Sequence, residues 1–282
     1  MISNTPARKG MVFAGCSFTW GQGLYYYSNL PSLEGKEPPE DHWYGQLVTH
    51  SHIRYIEAVR YPRIVANHFK TWELVIKGNG GSNQSIVNYW SSTLTDREAS
   101  SIHDNNYPDY NYNDISHLVF QLTQYQRDNF IFEYNGITYN KPLHEINDPK
   151  NIDIFLEYLR SIGKTFAEWE QEYILNNINN VVRFLKDVES KGIKVYVMAW
   201  EDTYFPQVNA NEYLNSKLIK FNYKGGEYGT IRQMMKTHRE LEIKYDFDSF
   251  VEPPKDHHPS LLCHQVMAKH VIEAIENGNN QI

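Results

Sequence analysis

The residues best equipped for chemistry lie near opposite ends of the chain. Early on, Gly15-Cys16-Ser17-Phe18-Thr19 follows the short apolar run 11–14; late on, Asp256-His257-His258-Pro259-Ser260 precedes a helix-forming stretch. A serine hydroxyl becomes a nucleophile when a histidine takes its proton. That histidine needs a carboxylate at Nδ1 to fix its tautomer and to stabilise the imidazolium. Ser17, Asp256 and His258 supply those three groups in the chain order Ser, Asp, His. The chemistry they imply is attack on an acyl carbon, with backbone N–H groups at the serine turn stabilising the developing oxyanion.

Two other readings of the same residues compete. Cys16 could act as a thiolate nucleophile activated by His258. Adjacent residues of an extended segment point in opposite directions, so only one of Cys16 and Ser17 faces a common cleft, and a cysteine is often a small buried apolar residue. Asp256, His257, His258, Cys263 and His264 could be read as metal ligands, but no Cys-x-x-Cys or His-Glu-x-x-His spacing is present. Cys263 and His264 also fall within a helical stretch, where neighbours diverge by about 100°. No metal and no cofactor are therefore expected, and His264 and His270 read as helix surface or a satisfied interface.

These groups need a scaffold that brings the chain ends together. The run 11–14 ends at Gly15, as a buried strand does before a tight turn. Pro62 opens a helical pattern over 62–69, and 72–76 alternates toward a second strand that breaks at Gly78-Asn79-Gly80-Gly81. Ser82 caps a helix through Trp90. A polar loop, 100–116, leads to a third strand at 118–122, and 129–162 reads as an insertion packed beside the catalytic face.

Thr165 and Glu168 have the spacing of a capping box, and the apolar residues from Phe166 to Val188 recur every three or four positions up to a stop at Gly192. The next run, 193–200, is apolar almost throughout, as suits a strand buried on both faces. A last strand is expected near 247–251 and a last helix over 261–276. Repeated strand-then-helix order predicts an α/β protein, a three-layer α/β/α sandwich around a mainly parallel five-stranded sheet. The whole chain, 1–282, reads as a single domain carrying the 129–162 insertion.

In an open parallel sheet ligands gather at the carboxyl ends of the strands. Ser17, Gly80 and Leu122-Thr123-Gln124 all fall there. Arg127 could seat a substrate carboxylate or pair with Glu133. Trp20, Trp200 and Tyr204 could stack on a sugar ring or simply fill core and rim. Composition narrows the partners: the 282 residues carry a net charge of −7 with interspersed signs, so neither nucleic acid nor anionic lipid is favoured. No apolar run spans a bilayer, the start lacks a secretory core, and only Cys16 and Cys263 are present, which suits a soluble, cytoplasmic protein.

The motifs together resemble those of the SGNH/GDSL hydrolase superfamily. Gly15-Cys16-Ser17-Phe18-Thr19-Trp20-Gly21 is similar to its first block, usually Gly-Asp-Ser-x-Thr-x-Gly; Asn79-Gly80-Gly81-Ser82-Asn83 to its second; and Asp256-x-His258-Pro259 to its fifth. The resemblance implies a flavodoxin-like fold and a serine esterase acting through an acyl-enzyme on a small-molecule or glycan ester, such as an acetylated carbohydrate. It implies Ser17 as nucleophile, His258 as base, Asp256 as its orienter, and N–H groups of Ser17 and Gly80, or Gly81, as oxyanion donors. Three departures stand out. Cys16 replaces the usual aspartate, Asp256 lies two rather than three residues before the histidine, and Leu122-Thr123-Gln124-Tyr125-Gln126-Arg127 occupies the place of Gly-x-Asn-Asp. Gln124 or Thr123 would have to stand in for the missing asparagine. Loss of that donor would instead leave a carbohydrate-binding or structural protein on the same scaffold.

Overall fold

A computed structural model of the chain describes residues 9–21, 24, 50–77, 82–95, 112–146, 148, 151–242 and 258–279. The elements, in chain order, are β1 (Gly10–Gly15), α1 (Ser17–Trp20), α2 (His50–Val59), α3 (Tyr61–His68), β2 (Glu73–Lys77), α4 (Asn83–Thr95), β3 (Ile115–Leu122), β4 (Asn129–Tyr134), β5 (Ile137–Pro142), α5 (Leu143–Ile146), α6 (Ile152–Ser161) and α7 (Phe166–Ser190). Then come β6 (Lys194–Ala199), α8 (Phe205–Ala210), α9 (Glu212–Lys217), β7 (Phe221–Tyr223), β8 (Gly226–Tyr228), α10 (Ile231–Thr237) and α11 (Leu261–Asn279).

The central sheet is parallel, in the order β2-β1-β3-β6, with Phe13 of β1 level with Val75 on one side and Val119 on the other. Successive side chains of a strand point to opposite faces. Val12, Ala14, Leu118, Phe120, Val195 and Val197 enter one core; Met11, Phe13, Val119 and Met198 enter the other. Both faces are therefore buried, which makes the molecule three layers deep and explains why these strands read as unbroken apolar runs. The first core is closed by α4 and α7, the second by α3, α10 and α11.

The expected sheet had five strands, and four are found among the described residues. The segment 247–251 lies outside them. Along the free edge of β6 the chain makes single parallel bridges, Val197 to Leu218 and Ala199 to Thr230, and Ile219 N–H donates to Val197 O at 2.8 Å.

Two helices show how local sequence sets the layers. At the start of α7 Thr165 Oγ1 accepts from Glu168 N–H at 3.3 Å, and a Glu168 carboxylate oxygen accepts from Thr165 N–H at 2.9 Å. Its 25 residues extend about 37 Å at 1.5 Å per residue. Its buried stripe of Trp169, Tyr173, Ile178, Val181, Leu185 and Val188 follows the helical repeat. In α11, Cys263, Met267, Val271 and Ile275 recur every fourth residue and face the second core, and the helix runs to Asn279 rather than stopping before Gly278.

Residues 129–162, expected only as an insertion, form regular structure. β4 and β5 make an antiparallel hairpin whose turn, Asn135-Gly136, takes φ of 51° and 74°. That left-handed pair matches the right-handed twist of the strands. Phe130 and Phe132 of the hairpin meet Phe155 of α6 and Trp169 of α7, with ring centroids 4.9 Å apart for Phe130–Trp169 and 5.3 Å for Phe132–Phe155. Tyr173 of α7 donates to Tyr125 O and Asp128 O, at 3.1 and 2.8 Å, so the hairpin is tied where the chain leaves β3.

Candidate functional site

The sheet order places a topological switch at β1. The chain goes from β1 to a neighbour on one side and next to a neighbour on the other, which opens a crevice at the carboxyl ends of β1 and β3. Ser17 is the first residue of α1, a single turn closed by Trp20 N–H to Cys16 O at 3.2 Å and Gly21 N–H to Ser17 O at 3.0 Å. Gly21 takes φ +88°, which a side chain would oppose. The first N–H groups of such a turn have no partner within it, so they are available to an oxyanion.

His258 Nε2 lies 3.1 Å from Ser17 Oγ, across 241 residues of sequence. This is the distance at which a base can take the hydroxyl proton. The histidine is half-buried, and the next residues of the chain anchor its backbone. Pro259 bridges to Glu242, Ser260 N–H donates to Leu241 O at 2.7 Å, and Ser260 Oγ accepts from Cys263 N–H at 3.2 Å in the first turn of α11. Phe18, next to the serine, lays its ring 4.7 Å from the His258 ring.

Cys16 lies in the core behind the turn. It is 1 % exposed, its Sγ approaches Gln121 Oε1 at 3.8 Å, and burial raises its thiol above the usual range. Gln121, 1 % exposed in β3, also takes the Thr19 hydroxyl, and Tyr61 OH donates to Thr19 Oγ1 at 3.3 Å. A buried polar rack thus supports the turn from below, at the position where the resembled family carries its aspartate. A lone glutamine inside the apolar strand 118–122 is the sequence signal for it.

The second block lies partly outside the described residues, which omit Gly78, Asn79, Gly80 and Gly81; Asp256 is outside them as well. The exit of the second block is firmly held. Ser82 Oγ caps α4 by accepting from Ser85 N–H at 3.0 Å, and it donates to Asp128 Oδ1 at 2.6 Å. Gln84 N–H donates to the same carboxylate oxygen at 2.9 Å. Asn83 closes on the end of β3 in both directions: it accepts from Thr123 N–H at 2.8 Å and donates to Thr123 O at 3.3 Å. Burial raises the Asp128 carboxyl above its ordinary range, opposed by these hydrogen bonds. Sequence reasoning singles out neither Asn83 nor Asp128.

Gln124 has one of its two amide N–H donors engaged: Nε2 donates to Glu201 Oε2 at 2.6 Å, while Oε1 accepts from Arg127 Nε at 3.1 Å. Arg232 pairs with the same Glu201 oxygen. The result is a relay, Arg232–Glu201–Gln124–Arg127, along the mouth of the sheet. Trp200 and Tyr204, weighed above as sugar platforms, are 3 % and 9 % exposed and belong to the packing. Trp20 is half-buried. His264 and His270 are buried interface residues: His264 Nδ1 accepts from Tyr61 N–H at 3.2 Å, capping the start of α3, and His270 Nε2 lies 2.9 Å from Asn222 O. Among the described residues no three His, Cys, Asp or Glu side chains are grouped as a metal would need, and no helix is long and apolar enough to cross a membrane.

No protein-family profile matches the chain, and no curated protein matches it. Among solved structures it is similar to a family two carbohydrate esterase from Clostridium thermocellum in complex with cellohexaose, at 13 % identity and a TM-score of 0.46, over 100 % of this chain and 68 % of that one. A Corynascus thermopiles (Myceliophthora fergusii) carbohydrate esterase family 2 enzyme with a carbohydrate binding domain gives 16 % identity and a TM-score of 0.42, over 96 % of this chain and 67 % of that one.

Proposed function

We propose that this chain is a serine ester hydrolase that forms an acyl-enzyme on Ser17. The observation that carries the reading is the 3.1 Å approach of His258 Nε2 to Ser17 Oγ at the switch point of a parallel sheet. His258 takes the hydroxyl proton as Ser17 Oγ bonds to the acyl carbon, and the imidazolium then gives that proton to the departing alcohol oxygen. In the second half His258 activates a water molecule, whose oxygen bonds to the acyl carbon and releases the acid. Asp256 holds the imidazole tautomer. The N–H groups of Ser17 and Gly80 stabilise the oxyanion, each such donor contributing about 2.7–4 kcal/mol. Arg127 and Trp20 contact the substrate, a small acyl ester such as an acetylated carbohydrate. The chain works as one unit, with 129–162 bordering the cleft.

A second reading has its own support. The asparagine of the Gly-x-Asn-Asp block has no counterpart in Leu122-Thr123-Gln124-Tyr125, and one of the two Gln124 amide N–H donors is engaged by Glu201. This favours a binding protein on the same scaffold, with weak or absent turnover. Hydrolysis of acetyl and butyryl aryl esters and of acetylated glycans, with Ser17→Ala and His258→Ala as controls, decides between them. Turnover lost in both variants, together with phosphonate labelling at Ser17, supports the hydrolase. A wild type as inert as its variants, or labelling at Cys16, refutes it.

A further inference from the structure

Within the hydrolase reading, we propose that Phe18 is a positioning residue that sets the plane of the His258 imidazole, with Trp200 as its backstop. Phe18 touches both of the other rings: it is stacked on Trp200, with centroids 3.5 Å apart and planes 17° from parallel, and it lies 4.7 Å from the His258 ring at a tilt of 37°. Phe18 is 6 % exposed and Trp200 is 3 % exposed, so neither ring can swing out without opening the core. Trp200 is pinned through its backbone on both sides: its N–H donates to Leu122 O at 3.0 Å, and its carbonyl accepts from Arg232 N–H at 3.1 Å.

The geometry explains why a ring is needed as well as a hydrogen bond. The Nε2 to Oγ contact fixes the distance and direction of the imidazole edge, but by itself it does not set the plane of the ring. The Phe18 ring packed 4.7 Å from the imidazole adds a contact that bears on that plane. Ser17 and Phe18 are consecutive residues of one helical turn, so the nucleophile and the face contact move as one body. The base must deliver its proton to a leaving group that is not Oγ, and a turned imidazole would miss it. Displacement of a reacting group by about 1 Å can cost about a hundredfold in rate.

The test compares Phe18→Leu, which keeps apolar volume but removes the ring face, with Phe18→Tyr, which restores the ring. On acetyl and butyryl aryl esters Phe18→Leu is expected to lower kcat by about a hundredfold with KM within about twofold, and Phe18→Tyr to recover most of that loss. Histidine labelled with carbon-13 at Cε1 gives a second readout, in which the ring current of Phe18 displaces the His258 proton. Assignment comes from the signal missing in His258→Ala. The displacement should collapse in Phe18→Leu and persist in Phe18→Tyr. If Phe18→Leu does not fold, Trp200→Leu, which removes the backstop, is read by the same resonance. An unmoved His258 resonance overturns the proposal, as does a leucine variant with wild-type kcat. So does equal loss in the leucine and tyrosine variants. If the wild type turns over no ester, the hydrolase reading fails by itself, and the resonance still decides whether Phe18 orients His258.

Discussion

Replacing Asp128 separates a clamp from a charge. Its Oδ1 accepts from Ser82 Oγ and Gln84 N–H, while Oδ2 is buried without a hydrogen-bond partner among the described residues. Asp128→Ala removes the acceptor and strands both donors at the entrance to α4, each at about 1–3 kcal/mol. After the recovered desolvation of the carboxylate, a net loss of about 2–4 kcal/mol is expected. Asp128→Asn keeps an acceptor in the Oδ1 position and discards the buried charge, but it turns amide N–H groups into the partnerless Oδ2 position, so it should cost about 1–3 kcal/mol at neutral pH, less than alanine. The sign of its pH dependence follows from the raised carboxyl. Above the ordinary aspartate value of about 3.9, the folded state holds the proton more firmly than the unfolded state. Wild-type stability therefore falls as pH rises from about 4 through the raised folded value, and the asparagine variant escapes that loss. Urea unfolding followed by circular dichroism at pH 4, 5 and 7.5 measures the difference. If asparagine costs as much as alanine, or if the gap between asparagine and wild type does not move with pH in that direction, the account of Asp128 as a desolvated clamp is wrong.

Three further expectations can be checked with the same preparations. Burial, then the charges of Arg60 and His258, push His264 down to about 3, so the unfolded state binds the extra proton and stability should decline as pH falls below about 6.5. His264→Asn, which keeps an acceptor for Tyr61 N–H, should flatten that limb in thermal unfolding, leaving the part due to His117, held at about 4 by burial and Lys194. Cys16→Ala should retain most ester turnover, and Cys16 should alkylate slowly in the folded protein, because its thiol is buried and turned toward Gln121; a loss of turnover comparable to that of Ser17→Ala would reinstate the thiol nucleophile. Gly15→Ala would place a Cβ 2.1 Å from Thr19 Oγ1 and 2.6 Å from Gln121 Oε1. That crowding should cost about 1–3 kcal/mol in denaturant unfolding and lower kcat further by displacing the serine turn.

What can be read from residues alone is what is encoded locally. The capping box at Thr165, the stripe on α7, the Ser82 cap of α4 and the doubly buried runs of β1 and β6 are near-neighbour patterns, and each appears in the structure. Ser17 and His258 are legible because each sits in its own motif beside an element end, although nothing local states that they meet. The hairpin of 129–162 is legible in principle, since Asn135-Gly136 between alternating segments is a strong turn signal, but the signal is lost when the segment is compared only with a βα unit. The long-range partners are a different matter. Gln124 has donor and acceptor capacity suited to an oxyanion hole, and only the arrival of Glu201 from β6's end shows where the donor goes. His264 and His270 suit a helix surface until their partners, Tyr61 and Asn222, arrive from distant elements. Trp200 follows β6 where a platform would be useful, but the Phe18 ring from beyond another strand's end covers it.

The separation of 241 residues between Ser17 and His258 also has a meaning in time. At about 5–20 residues per second of synthesis, the serine turn exists for roughly 10–50 s before its base has been added to the growing chain. Through that interval α3 lacks the His264 that caps it, and β1 lacks the α11 layer that closes the second core. On the proposed reading, a growing chain is chemically silent toward esters until His258 has been added and has met Ser17. Turnover in a synchronised translation reaction would then act as a clock for the arrival of His258 and α11.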